Sequence, residues 1–356
     1  MFASSARIST ALLSRRSLGV NVARSSSLLW SNNYRYLSSD ATPNAGGVFG
    51  KIAFIGCGKM AQALIDPVIA TGLQPASQIM IYDVSVSSMK AVQKKHPDLM
   101  LAQNMQQLVK DADMVVCAVK PQNLGPKFFG SMSPSPNTTL LSVIAGKPMD
   151  VFTDGGFTKV ARSMPNTPAQ IGKGMTVWCC TDNIESDERD KITQILCSFG
   201  KQVYVDDEDF IDISTSISGS GPAYVFMLME AMIDAGVHMG FARPTATTLV
   251  HHTLLGSTLY AMETQEHPVI LRNSVTSPAG TTASAIYELE SGKFRTVIKD
   301  AIWACYRRSL EMGDKDSNVG PGRVHKQEIV IVPKGEVDYE IDESGTGNGS
   351  INNTKD

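Results

Sequence analysis

The chain has 356 residues, a formal net charge of −3, 42% hydrophobic residues and six cysteines. That is length enough for two domains, and the mild acidity gives no basic surface for nucleic acid. No apolar run reaches the length of a membrane span, and the cysteines show neither C-x-x-C nor zinc spacing; Cys179-Cys180 could hold a metal or a strained disulfide, but an ordinary strand position is the expectation.

The first 39 residues hold five arginines (Arg7, Arg15, Arg16, Arg24, Arg35), eleven serines and no acid. Arginine- and serine-rich, acid-free composition is that of an organelle transit peptide, so residues 1–37 are expected to direct the chain to the mitochondrial matrix. Cleavage is expected near Arg35-Tyr36-Leu37-Ser38. Loss of the five arginines would move the formal charge from −3 to −8. Residues 38–50 read as a polar, glycine-rich linker. All six cysteines are expected to be reduced, and most of them to be core residues.

From 51 to about 212, apolar strands alternate with amphipathic helices. Strands are expected at 51–55, 79–83, 114–119, 139–145, 159–164, 174–179 and 201–205, with helices at 59–71, 85–95 and 186–199. The alternation indicates an α/β fold, a Rossmann-type doubly wound sheet covered on both faces. Its first strand runs into Gly56-Cys57-Gly58-Lys59-Met60-Ala61, a G-x-G-x-x-A turn. In such a turn the first glycine permits the bend, the second admits a pyrophosphate, and the small third residue lets the helix close on the sheet. A second strand ends at Asp83, about twenty residues on, where an acid can accept from ribose hydroxyls. Dinucleotide binding is the reading these two features support. The ends of later strands, Ala118-Val119-Lys120-Pro121, Ala145-Gly146-Lys147 and Met164-Pro165-Asn166-Thr167-Pro168, should border the same crevice.

Beyond residue 213 the pattern becomes helical, with helices expected at 220–240, 244–263, 281–291 and 294–312. The first is apolar on most of its circumference and needs cover on more than one side, so an all-helical dimerisation domain over 213–313 is expected. The methionines at 227, 229, 232 and 239 read as core filling. Within this region Val275-Thr276-Ser277-Pro278-Ala279-Gly280-Thr281-Thr282 suggests a tight loop with Thr281 or Thr282 capping the next helix. Hydroxyls and free N–H groups there suit a small carboxylate, and they suit an ordinary capped helix equally well. Residues 314–356, with nine acids and five basic residues, read as a disordered acidic tail of no assigned function, interrupted by a strand-like 328–332.

Taken together, Phe54–Met60, Ala118–Pro121, Met164–Ala169, Ser218–Tyr224, His267-Pro268 and the 275–282 loop closely resemble pyrroline-5-carboxylate reductase. The resemblance spans about residues 50 to 312. It implies hydride transfer from NADH or NADPH to the imine carbon of 1-pyrroline-5-carboxylate, giving L-proline, in the final step of proline biosynthesis. It also implies helices that interlock between two subunits, substrate at that interface, and possible assembly to decamers. No metal is needed, because a protonated imine already attracts hydride. By resemblance, Ser277, Gly280, Thr281 and Thr282 bind the substrate carboxylate, with the Thr282 hydroxyl near the ring nitrogen. The cofactor lies along Ile55, Gly56, Cys57, Gly58, Lys59, Met60, Asp83, Asn104, Ala118, Val119, Lys120, Pro121, Val143, Ile144 and Ala145. Asn166 helps position the nicotinamide end, and Lys120 adds positive charge. Ser274 and Gln265 depart from animal relatives, which often have Asn and have Glu there, so neither is assigned a contact. Asp83 stands where some relatives have Ser or Thr; with no arginine in 84–89, it predicts a preference for NADH. Two rivals are a β-hydroxyacid dehydrogenase, whose catalytic lysine on the helix after the glycine-rich turn is lacking in PAYVFMLMEAMIDAG, and a non-catalytic cofactor-binding regulator, which would not need the 277–282 loop.

Overall fold

The computed structural model describes residues 47–125 and 127–322. The expected transit segment, most of the linker, and the tail beyond 322 with its strand-like 328–332 lie outside the described residues.

The first part of the fold alternates strand and helix except between β4 and β5, which no α-helix separates among the described residues: β1 (Ile52–Ile55), α1 (Lys59–Ala70), β2 (Ile79–Tyr82), α2 (Val86–Lys95), β3 (Met100–Leu101), α3 (Met105–Lys110), β4 (Met114–Cys117), β5 (Thr139–Ser142), α4 (Asp150–Thr153) and β6 (Lys159–Met164). It continues with β7 (Gly174–Cys180), α5 (Ser186–Cys197), β8 (Gly200–Tyr204) and α6 (Asp209–Ser214). The eight strands form one sheet in the order β3-β2-β1-β4-β5-β6-β7-β8. β1, β4 and β5 are buried at every position, as strands covered on both faces must be.

The sequence carried no sign of β3 or of the short helices α3, α4 and α6. β3 pairs through only two residues, too few for any period to register. One pairing also breaks the parallel pattern: β7 runs antiparallel to β6. Residues 165–173 between them fold into a short 3₁₀ turn, Thr167–Ile171, ending at left-handed Gly172 (φ 67°). A parallel crossover needs a dozen or more residues, so the chain reverses instead. The expected strand at 139–145 stops at Ser142, leaving Val143–Ala145 in a loop beyond the sheet edge.

Four cysteines (57, 117, 179 and 180) are buried, Cys197 and Cys305 partly so, and all six are free thiols. Residues 47–50 of the expected linker are docked. The Phe49 N–H donates to Gln74 Oε1 (3.2 Å), and its carbonyl accepts from Gln74 Nε2 (2.7 Å).

After a π-helical turn at Thr215–Gly219 come α7 (Gly221–His238), α8 (Arg243–Thr264), α9 (Pro268–Ser274), α10 (Thr281–Ser291) and α11 (Phe294–Met312). α9 was not expected. Pro268 at its first turn, after His267 whose ring nitrogen accepts from the Val269 N–H (3.2 Å), starts it. α7, α9 and α10 bury no residue in the single chain. Phe226 is 58% exposed and Met227 73%. Met227 and Met239, expected to fill a core, are exposed on an apolar face in the single chain. Apolar surface of this extent needs a second molecule to cover it. Among the described residues, no helix is long and apolar enough to cross a membrane.

Candidate active site

β1 lies between β2 and β4, the point where strand order reverses and where ligands of such sheets bind beyond the strand ends. Gly56 there has φ 100°, and a Cβ on it would fall 2.8 Å from the Ala118 carbonyl oxygen. Only glycine fits both the conformation and the approach. Its N–H donates to the Tyr82 carbonyl (2.8 Å), and the Ala118 N–H donates to that of Ile55 (2.9 Å), so the turn is held from both neighbouring strands. Gly58 is the N-cap of α1; a Cβ on it would meet nothing within 4 Å, and no side chain caps the helix. An open cradle with uncapped N–H groups at a helix start fits a pyrophosphate, as the cofactor reading requires. Lys59 is exposed beside it, Met60 half-buried, and Ala61 fully buried against the sheet. Burial, and then the Asp83 carboxylate, push the Cys57 thiol up to about 12, so it adds no negative charge to the turn.

Asp83 bridges the turn to the next helix. Its Oδ2 accepts from the Cys57 N–H and its Oδ1 from the Ser85 N–H, both at 2.8 Å. Ser85 in turn caps α2 by accepting from the Ser88 N–H (3.3 Å). The carboxylate is thereby fixed next to the phosphate turn, with lone pairs left on both oxygens.

Ala118 and Val119 continue from β4, and Lys120 precedes a 3₁₀ turn, Pro121–Asn123, with its side chain exposed. Val143, Ile144 and Ala145 follow β5, where the Val143 N–H donates to the Cys117 carbonyl (3.1 Å). Ile55 to Met60, Asp83, 118–121 and 143–145 thus share the carboxyl edge of four adjacent strands. Two other candidates have structural work of their own. Asn104 caps α3, accepting from the Gln107 N–H at 2.8 Å. Asn166, buried, donates from Nδ2 to the Ser218 carbonyl and accepts at Oδ1 from the Met175 N–H, both at 2.9 Å.

The 275–282 loop forms a tight turn, as expected, but its helix cap departs from expectation. Its left-handed residue is Ala279 (φ 57°), and Gly280 is extended. Ser277 to Gly280 form a turn closed by the Gly280 N–H to the Ser277 carbonyl (3.1 Å). A Cβ on Gly280 would sit 2.4 Å from Ser277 Oγ, so a larger residue there would force that hydroxyl to turn away. Neither Thr281 nor Thr282 caps α10: the N-cap is Gly280, and no side chain bonds to the helix start. Both threonines are already inside the first turn, too far along to accept from its N–H groups, which leaves the hydroxyls and those N–H groups available to a carboxylate. α10 packs chiefly on α11 in its own chain.

The sequence reading overlooked a buried ionic cluster beneath this edge. Arg162 of β6, 1% exposed, donates from Nη2 to Asp212 Oδ1 (2.7 Å) and from Nη1 to Glu208 Oε1 (2.8 Å). Burial works against the Arg162 charge, but the two carboxylates outweigh it and hold its pKa above the ordinary value. Arginine in the middle of the apolar strand KVARSM was the available signal. Tyr224, whose hydroxyl donates to the Ser216 carbonyl (3.1 Å), is pushed up to about 12 by burial and by Cys305.

Residues 208–312 match the family model for pyrroline-5-carboxylate reductase dimerisation, and residues 51–146 that for NADP oxidoreductase, coenzyme F420-dependent. The chain is 34% identical over 264 residues to a pyrroline-5-carboxylate reductase of Arabidopsis thaliana, covering 74% of this chain and 95% of that one. It is 35% identical over 269 residues to one of Pseudomonas aeruginosa, covering 74% and 97%. Among solved structures, a Plasmodium falciparum pyrroline carboxylate reductase with NADP bound superposes with a TM-score of 0.67 at 29% identity, covering 74% of this chain and 98% of that chain. A pyrroline-5-carboxylate reductase from Coxiella burnetii gives 0.65 at 32%, covering 74% and 98%.

Proposed function

The chain belongs to the pyrroline-5-carboxylate reductase family, an NAD(P)H-dependent oxidoreductase of a cyclic imine in proline biosynthesis, and from that premise we propose how its residues divide the work. The observation behind the cofactor half is the Gly56–Asp83 geometry, in which a left-handed glycine, an open N-cap glycine and a fixed carboxylate meet where strand order reverses.

The bound cofactor supplies the hydride. Gly56, Gly58 and the start of α1 hold its pyrophosphate. Asp83 accepts from the ribose hydroxyls, and Ala118–Pro121 and Val143–Ala145 flank the path toward the nicotinamide. Lys120 offsets negative charge when two anionic ligands are present. Asn104 and Asn166 act through the backbone they hold. The Asp83 carboxylate, with no arginine in 84–89, repels a 2′-phosphate and favours NADH. The NADP in the Plasmodium structure weighs the other way for that protein.

Ser277, Gly280, Thr281 and Thr282 bind the substrate carboxylate at the uncapped start of α10, and the Thr282 hydroxyl orients the ring nitrogen. Because this loop lies on the helical part, whose apolar faces are bare, a second copy completes the site. A homodimer is the working unit, with a decamer as a further assembly. Residues 1–37 direct the chain to the mitochondrial matrix, on composition alone; bacterial relatives are among its matches. A fluorescent fusion of these residues that stayed in the cytosol would sink this part.

Thr282→Ala tests the substrate half. Losing a hydrogen bond to a charged ligand costs about 1.5–3 kcal/mol, so kcat/KM for the imine should fall by roughly ten- to a hundredfold with NADH affinity unchanged. Full turnover by this variant would remove Thr282 from the site.

A further inference from the structure

We propose that Gly313–Asp316, just past α11, is a latch that positions the loop after β5, with Lys315 as its positioning residue. The inference rests on the proposed placement of the cofactor along Val143–Ala145. The matched dimerisation model ends at residue 312, so the latch lies beyond it.

The loop is gripped at three successive points. At Gly146 (φ 70°) the last turn of α11 touches the loop directly. A Cβ on Gly146 would be 2.6 Å from Met312 Cβ, and one on Gly313 would be 2.7 Å from the Gly146 carbonyl oxygen. Next, Lys147 Nζ lies 3.7 Å from Asp314 Oδ2. At Met149 the N–H donates to Glu208 Oε1 (2.8 Å), the same oxygen that accepts from Arg162.

Lys315 fastens the other end. Asp314 takes a left-handed conformation (φ 57°), and the Lys315 N–H returns to the Leu310 carbonyl (2.9 Å), so the chain doubles back over α11. Lys315 Nζ then donates to Asp209 Oδ1 (2.7 Å) and Asp212 Oδ2 (3.1 Å). Asp212 Oδ1 already accepts from Arg162 and from Ser309 Oγ (2.9 Å). One continuous polar chain therefore runs from Lys315 through Asp212, Arg162 and Glu208 to the backbone of Met149. Beyond the latch, Arg307 Nε donates to the Val319 carbonyl (3.0 Å), and Gly320 is pressed on the Trp303 ring, so residues 314–322 are held where composition suggested a loose tail.

Of the two cations on Asp212, Arg162 is buried within the sheet and Lys315 is partly exposed. Removing Lys315 leaves the Arg162 pair intact but frees the latch, and a small displacement of a cofactor-contacting loop is enough to spoil hydride geometry.

The test is Lys315→Met in the full chain. The expected result is an NADH dissociation constant raised about fivefold and a kcat lowered about fivefold, with the KM for the imine unchanged. The isotope effect with deuterated NADH should grow as hydride transfer slows. Lys315→Arg should restore at least half of the lost activity, and Asp209→Asn should act in the same direction more weakly, which keeps a readout if Lys315→Met folds poorly. NADH affinity, kcat and isotope effect all within twofold of the parent in both the Met and Asn variants would overturn the latch. If the parent itself bound no NADH, the cofactor reading would fail instead.

Discussion

Replacing Asp83 by Asn tests selectivity with little change of shape. In the parent, each carboxylate oxygen accepts one backbone N–H at 2.8 Å, from Cys57 and from Ser85. Asn keeps one acceptor and turns an NH₂ toward the other N–H. It also removes the charge that a 2′-phosphate would face. Two unit charges about 4 Å apart in protein-surface surroundings interact by roughly 4 kcal/mol. Because Asp83 is only half-buried, screening reduces this to about 1.5–3 kcal/mol, or roughly ten- to a hundredfold in relative affinity. The assay is kcat/KM for NADH divided by kcat/KM for NADPH, in parent and variant. The ratio should exceed one in the parent and fall at least tenfold in Asp83→Asn, chiefly through a gain with NADPH. Ser85→Ala is the control. It removes the cap of α2, worth about 1 kcal/mol, yet leaves the carboxylate, so it should lower Tm and not the ratio. A parent that prefers NADPH, or a ratio unmoved in Asp83→Asn, would refute the assignment of selectivity to this charge.

Arg162→Met should destabilise the fold by about 3–5 kcal/mol, because Asp212 would remain buried, and Glu208 partly so, without their main cation; denaturant unfolding followed by far-ultraviolet circular dichroism reads this directly. The same cluster sets an acid limit. Burial pushes the Asp212 carboxyl up, but hydrogen bonds from Arg162, Lys315 and Ser309 override that and hold it below the usual carboxylate range. Its contribution is therefore complete above about pH 4–5 and is lost as pH falls through the lowered folded value, so Asp212→Asn should flatten the acid limb of a Tm–pH curve. Met227→Lys, on the bare face of α7, should lower the assembled fraction seen by light scattering and abolish turnover with it; a fully active monomer would contradict a site completed by a second copy.

The parts of the fold that were legible in the sequence are those in which local chemistry and tertiary role coincide. Ile52–Ile55 followed by Gly56 and Gly58 could be read because a buried strand, a forced left-handed glycine and a helix start each leave a separate mark. The helices at 281–291 and 294–312 were found to the residue because their ends are set by Gly280, Gly292 and Gly313. β3 was not legible, since two residues carry no period, and neither was the reversal of β7, which depends on the length and fold of 165–173. The site divides in the same way. Asp83 was placed by spacing, and its bond to the Cys57 N–H could not be. The wrong assignment of the α10 cap came from treating any threonine near a helix start as its cap, when the position of the turn decides, and Ala279 sets that turn. The Arg162 cluster joins residues of four separate segments, and only one of its members, an arginine inside an apolar strand, stood out on its own.

The most direct test of the account is the initial rate of NADH oxidation by the full chain with 1-pyrroline-5-carboxylate, with L-proline measured as product. Saturable turnover, with one proline formed per NADH consumed, is the predicted result. A folded, assembled protein that binds NADH and yet oxidises none of it in the presence of the imine would contradict the account.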